Sequence, residues 1–242
     1  MKLEEVGSNL IVFIHGFFGN LETFRPQGEF LKEYGFSYAL VTYPEVEFNL
    51  IDFVDCVVEK LLDVGMERFS VLGTSMGGFA AQLLAARYNS RIDSLILSNT
   101  FASTAVFREK NKFIAMIAPL LPEGLIKYYL KNVVRKEYGK YKDVGKILQL
   151  VDKISKKDVL VRLKALLSIE AVEFEKNFPV AVLDSADDVT IPEDVKSELR
   201  FKARPDFEYT FKFGGHFPYI FNRSEYNSIL LNFLKEVYSL DI

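Results

Sequence analysis

Val71-Leu72-Gly73-Thr74-Ser75-Met76-Gly77-Gly78-Phe79 is the stretch on which the reading of the chain turns. An apolar run over 69–72 leads into it, and a small-residue helical pattern over 80–86 leaves it. The pattern is a strand, a very tight turn and a helix, with Ser75 at the apex. It fits G-x-S-x-G, a nucleophile elbow, in which a strained serine needs neighbours without bulk. Gly73 and Gly77 would let strand and helix pass closely. The turn exposes the hydroxyl and points a helix N-terminus, which stabilises negative charge, toward it. Taken alone, the motif also fits a serine in any glycine-rich strand-to-helix loop. The other loops, and their order, have to decide.

On the N-terminal side, residues 9–14 form a continuous apolar run, as in a strand buried on both faces of a parallel sheet. The run ends in His15-Gly16-Phe17-Phe18-Gly19-Asn20. Glycines there allow backbone N–H groups to turn toward a site, and the N–H of Phe17 is the candidate donor to a developing oxyanion. The side chain of His15 is read as a loop histidine bonded to backbone. A helix over 24–34, a strand over 37–42 and a helix over 50–62 follow. Leu50, Phe53, Val54, Val57, Val58 and Leu61 recur at helical spacing. Beyond the elbow, a strand over 92–97 ends at Ser98-Asn99-Thr100. Strands alternating with helices imply a parallel sheet with right-handed crossovers.

The rhythm then stops. Residues 101–177 read as helices over 112–121, 125–134, 144–154, 157–165 and 166–175, with an excess of lysine. A solvated helical face accounts for that excess, with attraction of an anionic substrate or partner as the lesser reading. Phe113, Ile114, Met116, Ile117, Leu120 and Leu121 either line an apolar pocket or pack these helices onto the sheet. The sheet resumes over 179–183, followed by Asp184-Ser185-Ala186-Asp187-Asp188-Val189-Thr190-Ile191-Pro192. A helix over 192–201 and a strand over 207–213 lead to Gly214-Gly215-His216-Phe217-Pro218, and a helix over 227–238 closes the chain.

Composition narrows the function classes. The 242 residues suffice for one large α/β domain with an inserted element. A net charge of -3 gives no electrostatic case for nucleic acid. The single cysteine, Cys56, lies in an apolar helical pattern and is expected to be a buried thiol in a reducing compartment. Residues 1–7 lack the basic and apolar segments of a signal peptide, and the apolar run 113–121 is too short to span a bilayer. A cytoplasmic location is therefore expected. No metal-ligand cluster is found, and no cofactor is expected.

Ser75, the acidic loop and His216 each follow a strand, where open parallel sheets build their sites. His216 is one of only two histidines in the chain. This Ser…Asp…His order, with the elbow, the His-Gly loop, the acidic loop and the Gly-His loop, resembles the α/β-hydrolases over nearly the whole chain. The resemblance implies an α/β-hydrolase fold of about six strands, all parallel. The N-terminal strands of that fold would be missing, since few residues precede the first apolar run. A helical cap, 102–177, would be inserted after the fourth strand into a core of 1–101 and 178–242. Family loops resemble D-x-x-[VI]-P, which selects Asp188 as the acid over Asp187 and Asp184; Ser185 stands where many relatives have glycine. The implied chemistry is attack by Ser75 on a carboxylic ester or thioester, with His216 as base. Asp188 would orient the base, and the N–H groups of Phe17 and Met76 would hold the oxyanion. The substrate would be a small molecule with an acyl or aryl group. Hydrolysis of a carbon–carbon bond or a lactone is the neighbouring alternative.

A narrower resemblance, to maspardin-like proteins, rests on Val41-Thr42-Tyr43-Pro44, residues 73–82, residues 94–101 and Gly214-Gly215-His216-Phe217-Pro218-Tyr219. It implies a rival class, a noncatalytic adaptor that binds a protein partner. His15-Gly16 and His216 depart from that family's pattern and favour the enzyme reading.

Overall fold

The structure, a computed structural model, describes residues 1–105, 108 and 117–240. The continuous apolar runs become strands covered on both faces. They are β2 (Leu10–Ile14), β3 (Ser37–Val41), β4 (Phe69–Thr74), β5 (Ile92–Ser98) and β6 (Val180–Ser185). Every residue of β2, β3, β4 and β6 is buried, the pattern of strands sandwiched between helix layers. A final strand, β7 (Phe207–Phe211), alternates half-buried and exposed positions up to the buried Phe211, because it lies at the edge. With β1 (Lys2–Glu4) the sheet has seven strands in the order β1-β3-β2-β4-β5-β6-β7.

The six expected parallel strands are all present, but the N-terminal strand is not missing. β1 runs antiparallel to β3, with Leu3 opposite Ala39. Ser37 anchors the turn after it, since its hydroxyl accepts from the N–H of Val6 and Gly7 and donates to Gly7 O at 2.6 Å. Three residues with two charged side chains give no apolar pattern. The pairing comes from the edge of β3 instead, and Lys2 and Glu4 keep this outer edge polar.

Alternate residues of β2 feed two cores. Leu10, Val12 and Ile14 face α2 (Leu50–Leu62) and α3 (Met76–Arg87). Ile11 and Phe13 face α1 (Arg25–Lys32) on the opposite side, where Phe13 stacks on Phe24 at 5.2 Å. Each such side chain contributes about 1.5–3 kcal/mol by leaving water. Cys56 corrects the expectation of a buried thiol: it is exposed, on the face of α2 opposite Val54, Val57, Val58 and Leu61. One residue among apolar neighbours is not on their stripe when the period is 3.6.

Between β5 and β6 lie α4 (Glu123–Tyr138), α5 (Val144–Lys153) and α6 (Lys156–Leu167). Ser155 and Asp158 start α6 with a reciprocal capping box. Val134, Tyr138, Ile147 and Val151 join the core beside α1, whereas Ala165 and Leu166 join the core beside α2 and α3. The three helices therefore bridge the two cores. The helix expected over 166–175 is not formed beyond Leu167. There the chain pairs with the segment after β5 instead. Thr104 N–H donates to Glu170 O at 2.7 Å, and Val172 N–H donates to Ala102 O. Half of the helix expected over 112–121, residues 112–116 with Phe113, Ile114 and Met116, lies outside the described residues, and the other half holds a 3₁₀ turn at Ala118–Leu120. Leu120 is exposed, and Leu121 packs with Ile126, Ile154 and Val159. After β6 come α7 (Glu193–Ala203), α8 (Pro218–Phe221) and α9 (Arg223–Tyr238), the last beside α1.

Candidate active site

Ser75 follows β4 directly and has φ 53 and ψ -125, a conformation that L-residues reach only under constraint. The constraint is visible on every side. The Ser75 N–H donates to the carbonyls of Ser98 and Asn99, and Thr100 Oγ1 donates to Ser75 O at 2.6 Å. A Cβ on Gly77 would sit 2.1 Å from Ile14 O, and one on Gly73 would sit 2.2 Å from Gly77 O. Strand and helix do pass at backbone contact, and only glycine fits at either crossing.

His216 follows β7 and is buried. Its Nδ1 donates to Asp188 Oδ2 at 2.9 Å. A carboxylate can only accept, so the proton of a neutral imidazole is held on Nδ1, leaving Nε2 as the accepting nitrogen. Asp188, in the loop after β6, accepts four hydrogen bonds. Oδ2 also takes Asn99 Nδ2 at 2.8 Å, and Oδ1 takes the N–H groups of Thr190 at 2.8 Å and Ile191 at 3.2 Å. Burial pushes this carboxyl upward. The neighbouring His216, the Asn99 amide and the Thr190 N–H outweigh that effect and hold it below the usual carboxylate range.

Of the three acidic candidates, then, Asp188 is the one bonded to His216. Asp187 turns away and accepts from Gly215 N–H at 2.8 Å, Lys140 Nζ at 3.2 Å and Tyr141 Oη, tying the residue before His216 to the helical segment. Asp184 is buried under the loop with Arg200 at 2.9 Å, and burial pushes its carboxyl up to about 6.

His15 is a backbone-bonded histidine, as expected. Nδ1 donates to Gly16 O at 2.7 Å, and Nε2 accepts from Thr42 Oγ1 at 3.2 Å. Burial, helped by the charge of Arg162, drives its pKa down to about 3, so the ring is neutral. The same Gly16 carbonyl accepts from Gly19 N–H at 3.0 Å. The peptide bond is planar and trans, so fixing this carbonyl makes the N–H of Phe17 point the opposite way.

Ser75, His216, Phe17 and Met76 line one cavity of about 350 Å³. Its walls are otherwise mostly apolar and include Leu130, Val134, Leu163 and Leu167 from α4 and α6. Its size and character are those of a small-molecule site. Asn99 had no assigned role in the sequence reading. It is fully buried at φ 43, and its amide donates both to Asp188 and to Gly215 O at 3.2 Å. Both neighbours are acceptors, which fixes the amide orientation. The visible signal was the polar triplet Ser98-Asn99-Thr100 at the end of a buried strand.

A family model described as the alpha/beta hydrolase fold matches residues 9–132. The chain belongs to the alpha/beta hydrolase fold family. Among its relatives, maspardin of Danio rerio is 28% identical over 226 residues, covering 90% of this chain and 71% of maspardin. Among solved structures, MenH from S. aureus superposes with a TM-score of 0.81 at 15% identity and covers 98% of each chain. The esterase EaEST from Exiguobacterium antarcticum gives 0.79 at 17% identity, covering 96% of this chain and 94% of its own. At these identities the two structures share the fold. No helix among the described residues is long and apolar enough to cross a membrane.

Proposed function

We propose that this alpha/beta hydrolase is a serine hydrolase that cleaves a carboxylic ester or thioester through an acyl-enzyme on Ser75. The observation that carries the reading is that His216, bonded to the buried Asp188, shares one cavity with a strained Ser75. A serine hydroxyl is a weak nucleophile at neutral pH and needs a neutral imidazole to take its proton. The Nδ1–H bond to Asp188 leaves Nε2 for that role. Attack of Oγ on the acyl carbon sends the Oγ proton to Nε2 and the carbonyl electrons to oxygen. The N–H groups of Phe17 and Met76 then hold the oxyanion. Collapse expels the alcohol or thiol, which takes the proton from His216. Water, deprotonated by the same nitrogen, then attacks the acyl-enzyme and frees the acid and Ser75.

In this reading residues 102–177 are a cap, and its apolar wall against Ser75 selects an acyl or aryl group. Hydrolysis of a lactone or of a carbon–carbon bond uses the same residues and differs in substrate. The likeness to maspardin supports a second reading, a noncatalytic protein-binding adaptor.

A fluorophosphonate probe separates the two classes. Covalent modification at Ser75, abolished in His216→Ala, is the expected result. A folded protein that neither labels nor hydrolyses p-nitrophenyl esters of any chain length would leave the adaptor reading.

A further inference from the structure

Arg162, on α6, is buried, and its partners are carbonyls of the loop after β2. One nitrogen, Nη1, donates to Phe17 O at 2.6 Å and to Gly19 O at 3.0 Å. The guanidinium lies over the ring of Tyr43, 5.4 Å from its centre. Asp158 and Glu45 act on it through space, but among the described residues no carboxylate lies at ion-pair distance. Burying a cation on carbonyl oxygens is costly relative to water unless something compensates. A neutral amide would join a helix to a loop more cheaply.

The position of those carbonyls suggests what the cation does. Two peptide planes flank Phe17. The plane before it, which carries the Phe17 N–H, is fixed by His15 Nδ1 and Gly19 N–H on Gly16 O. The plane after it is fixed by Arg162 on Phe17 O. Without Arg162 the second plane keeps only the turn that Gly19 N–H closes on Gly16 O, and the φ and ψ of Phe17 are held less tightly. The guanidinium also places positive charge beside the loop that faces the developing oxyanion, in a dry setting where such charge is effective.

We infer that Arg162 is a positioning residue for the oxyanion donor, so that the segment inserted between β5 and β6 belongs to the transition-state machinery as well as to the pocket wall. The inference rests on the acyl-transfer reading of Ser75.

The test uses the full chain, with Arg162→Gln and Arg162→Lys. Activity on p-nitrophenyl butyrate is compared with inhibition by a trifluoromethyl ketone, to whose carbonyl Ser75 adds to give an oxyanion. The alcohol of the same shape, which gives none, is the control. Loss of a whole oxyanion donor costs about 100- to 1,000-fold in kcat, so loosening one should cost Arg162→Gln about 10- to 100-fold, mostly in kcat rather than KM. Ketone affinity should fall in parallel, while alcohol affinity stays within about threefold. Arg162→Lys, which keeps the cation, should recover most of both. If Arg162→Gln does not fold, the ketone-to-alcohol ratio in Arg162→Lys decides, since the shorter lysine places its Nζ short of the position of Nη1, and the part of the loss it does not recover should fall on the ketone and not on the alcohol. Equal loss of ketone and alcohol affinity, or unchanged kcat in the folded variants of a wild-type protein that labels, overturns the inference. A wild-type protein that neither labels nor turns over removes the acyl-transfer reading, and the inference falls with it.

Discussion

Replacing Asn99 tests how the acid is held. The Asn99→Ala change removes a hydrogen bond to the ionised Asp188, of the kind that contributes about 1.5–3 kcal/mol, and one to the Gly215 carbonyl, contributing about 1 kcal/mol. Alanine at φ 43 adds about 1 kcal/mol of backbone cost that asparagine largely avoids. The sum, about 3.5–5 kcal/mol, is a large part of the 5–15 kcal/mol that stabilises an ordinary domain. Asn99→Gly removes the same amide without the backbone cost, so it should be the more stable variant by about 1 kcal/mol. Both changes free Asp188 to turn away from His216 and remove one influence that keeps it ionised. The kcat/KM for a p-nitrophenyl ester should fall about 10- to 100-fold, equivalent to about 1.4–2.7 kcal/mol of barrier. Urea denaturation gives the stability term, and initial rates under fully folded conditions give the catalytic one. An Asn99→Gly protein with wild-type stability and wild-type turnover would show that the amide does not hold the acid, and the argument from its bonds would fail.

Two further outcomes follow from the acidic residues after β6. Asp188→Asn should lower kcat about 10³- to 10⁴-fold, because an amide no longer enforces the imidazole tautomer. Asp187→Asn should cost no more than about tenfold, with loss of stability from its Gly215, Tyr141 and Lys140 contacts; the reverse ranking in steady-state assays would move the acid to Asp187. Asp184, raised to about 6 in the folded protein, contributes fully to stability only below about pH 4, where it is protonated both folded and unfolded. That contribution, about 3 kcal/mol for about two pKa units, is lost as pH rises through 6. Asp184→Asn should therefore gain on wild type by up to that amount between pH 4.5 and 7.5. A constant difference between the two urea curves would count against a raised carboxyl.

The sequence was most legible where burial forces a simple pattern. Residues of β2, β3 and β4 are covered on both faces, so they are predominantly apolar, and the runs stand out. The elbow was legible because two backbone crossings at Gly73 and Gly77 tolerate no side chain. β1 was not, because three residues gain their strand conformation from the edge they meet. The stretch 168–175 has helical composition, but its backbone groups find partners at 102–104. Asn99 and Arg162 were hidden for a related reason. Each acts on a residue far along the chain, 89 positions away for Asn99 and 145 for Arg162, and no local spacing encodes that.

Helix α3 is buried from Met76 to Ala85 on all sides, without an outward polar stripe. Such a helix has no solvent face from which to fray, and its amides can exchange with deuterated water only when the sheet itself opens. The first turn of this helix shapes Ser75, so the proposed nucleophile shares the kinetic lifetime of the whole fold. In hydrogen-exchange measurements the amides of Gly78 and Phe79, both bonded to Ser75 O, should rank among the slowest in the protein. The reactive conformation would then disappear only with global unfolding, and the rate at which Ser75 loses its geometry would be the unfolding rate of the domain.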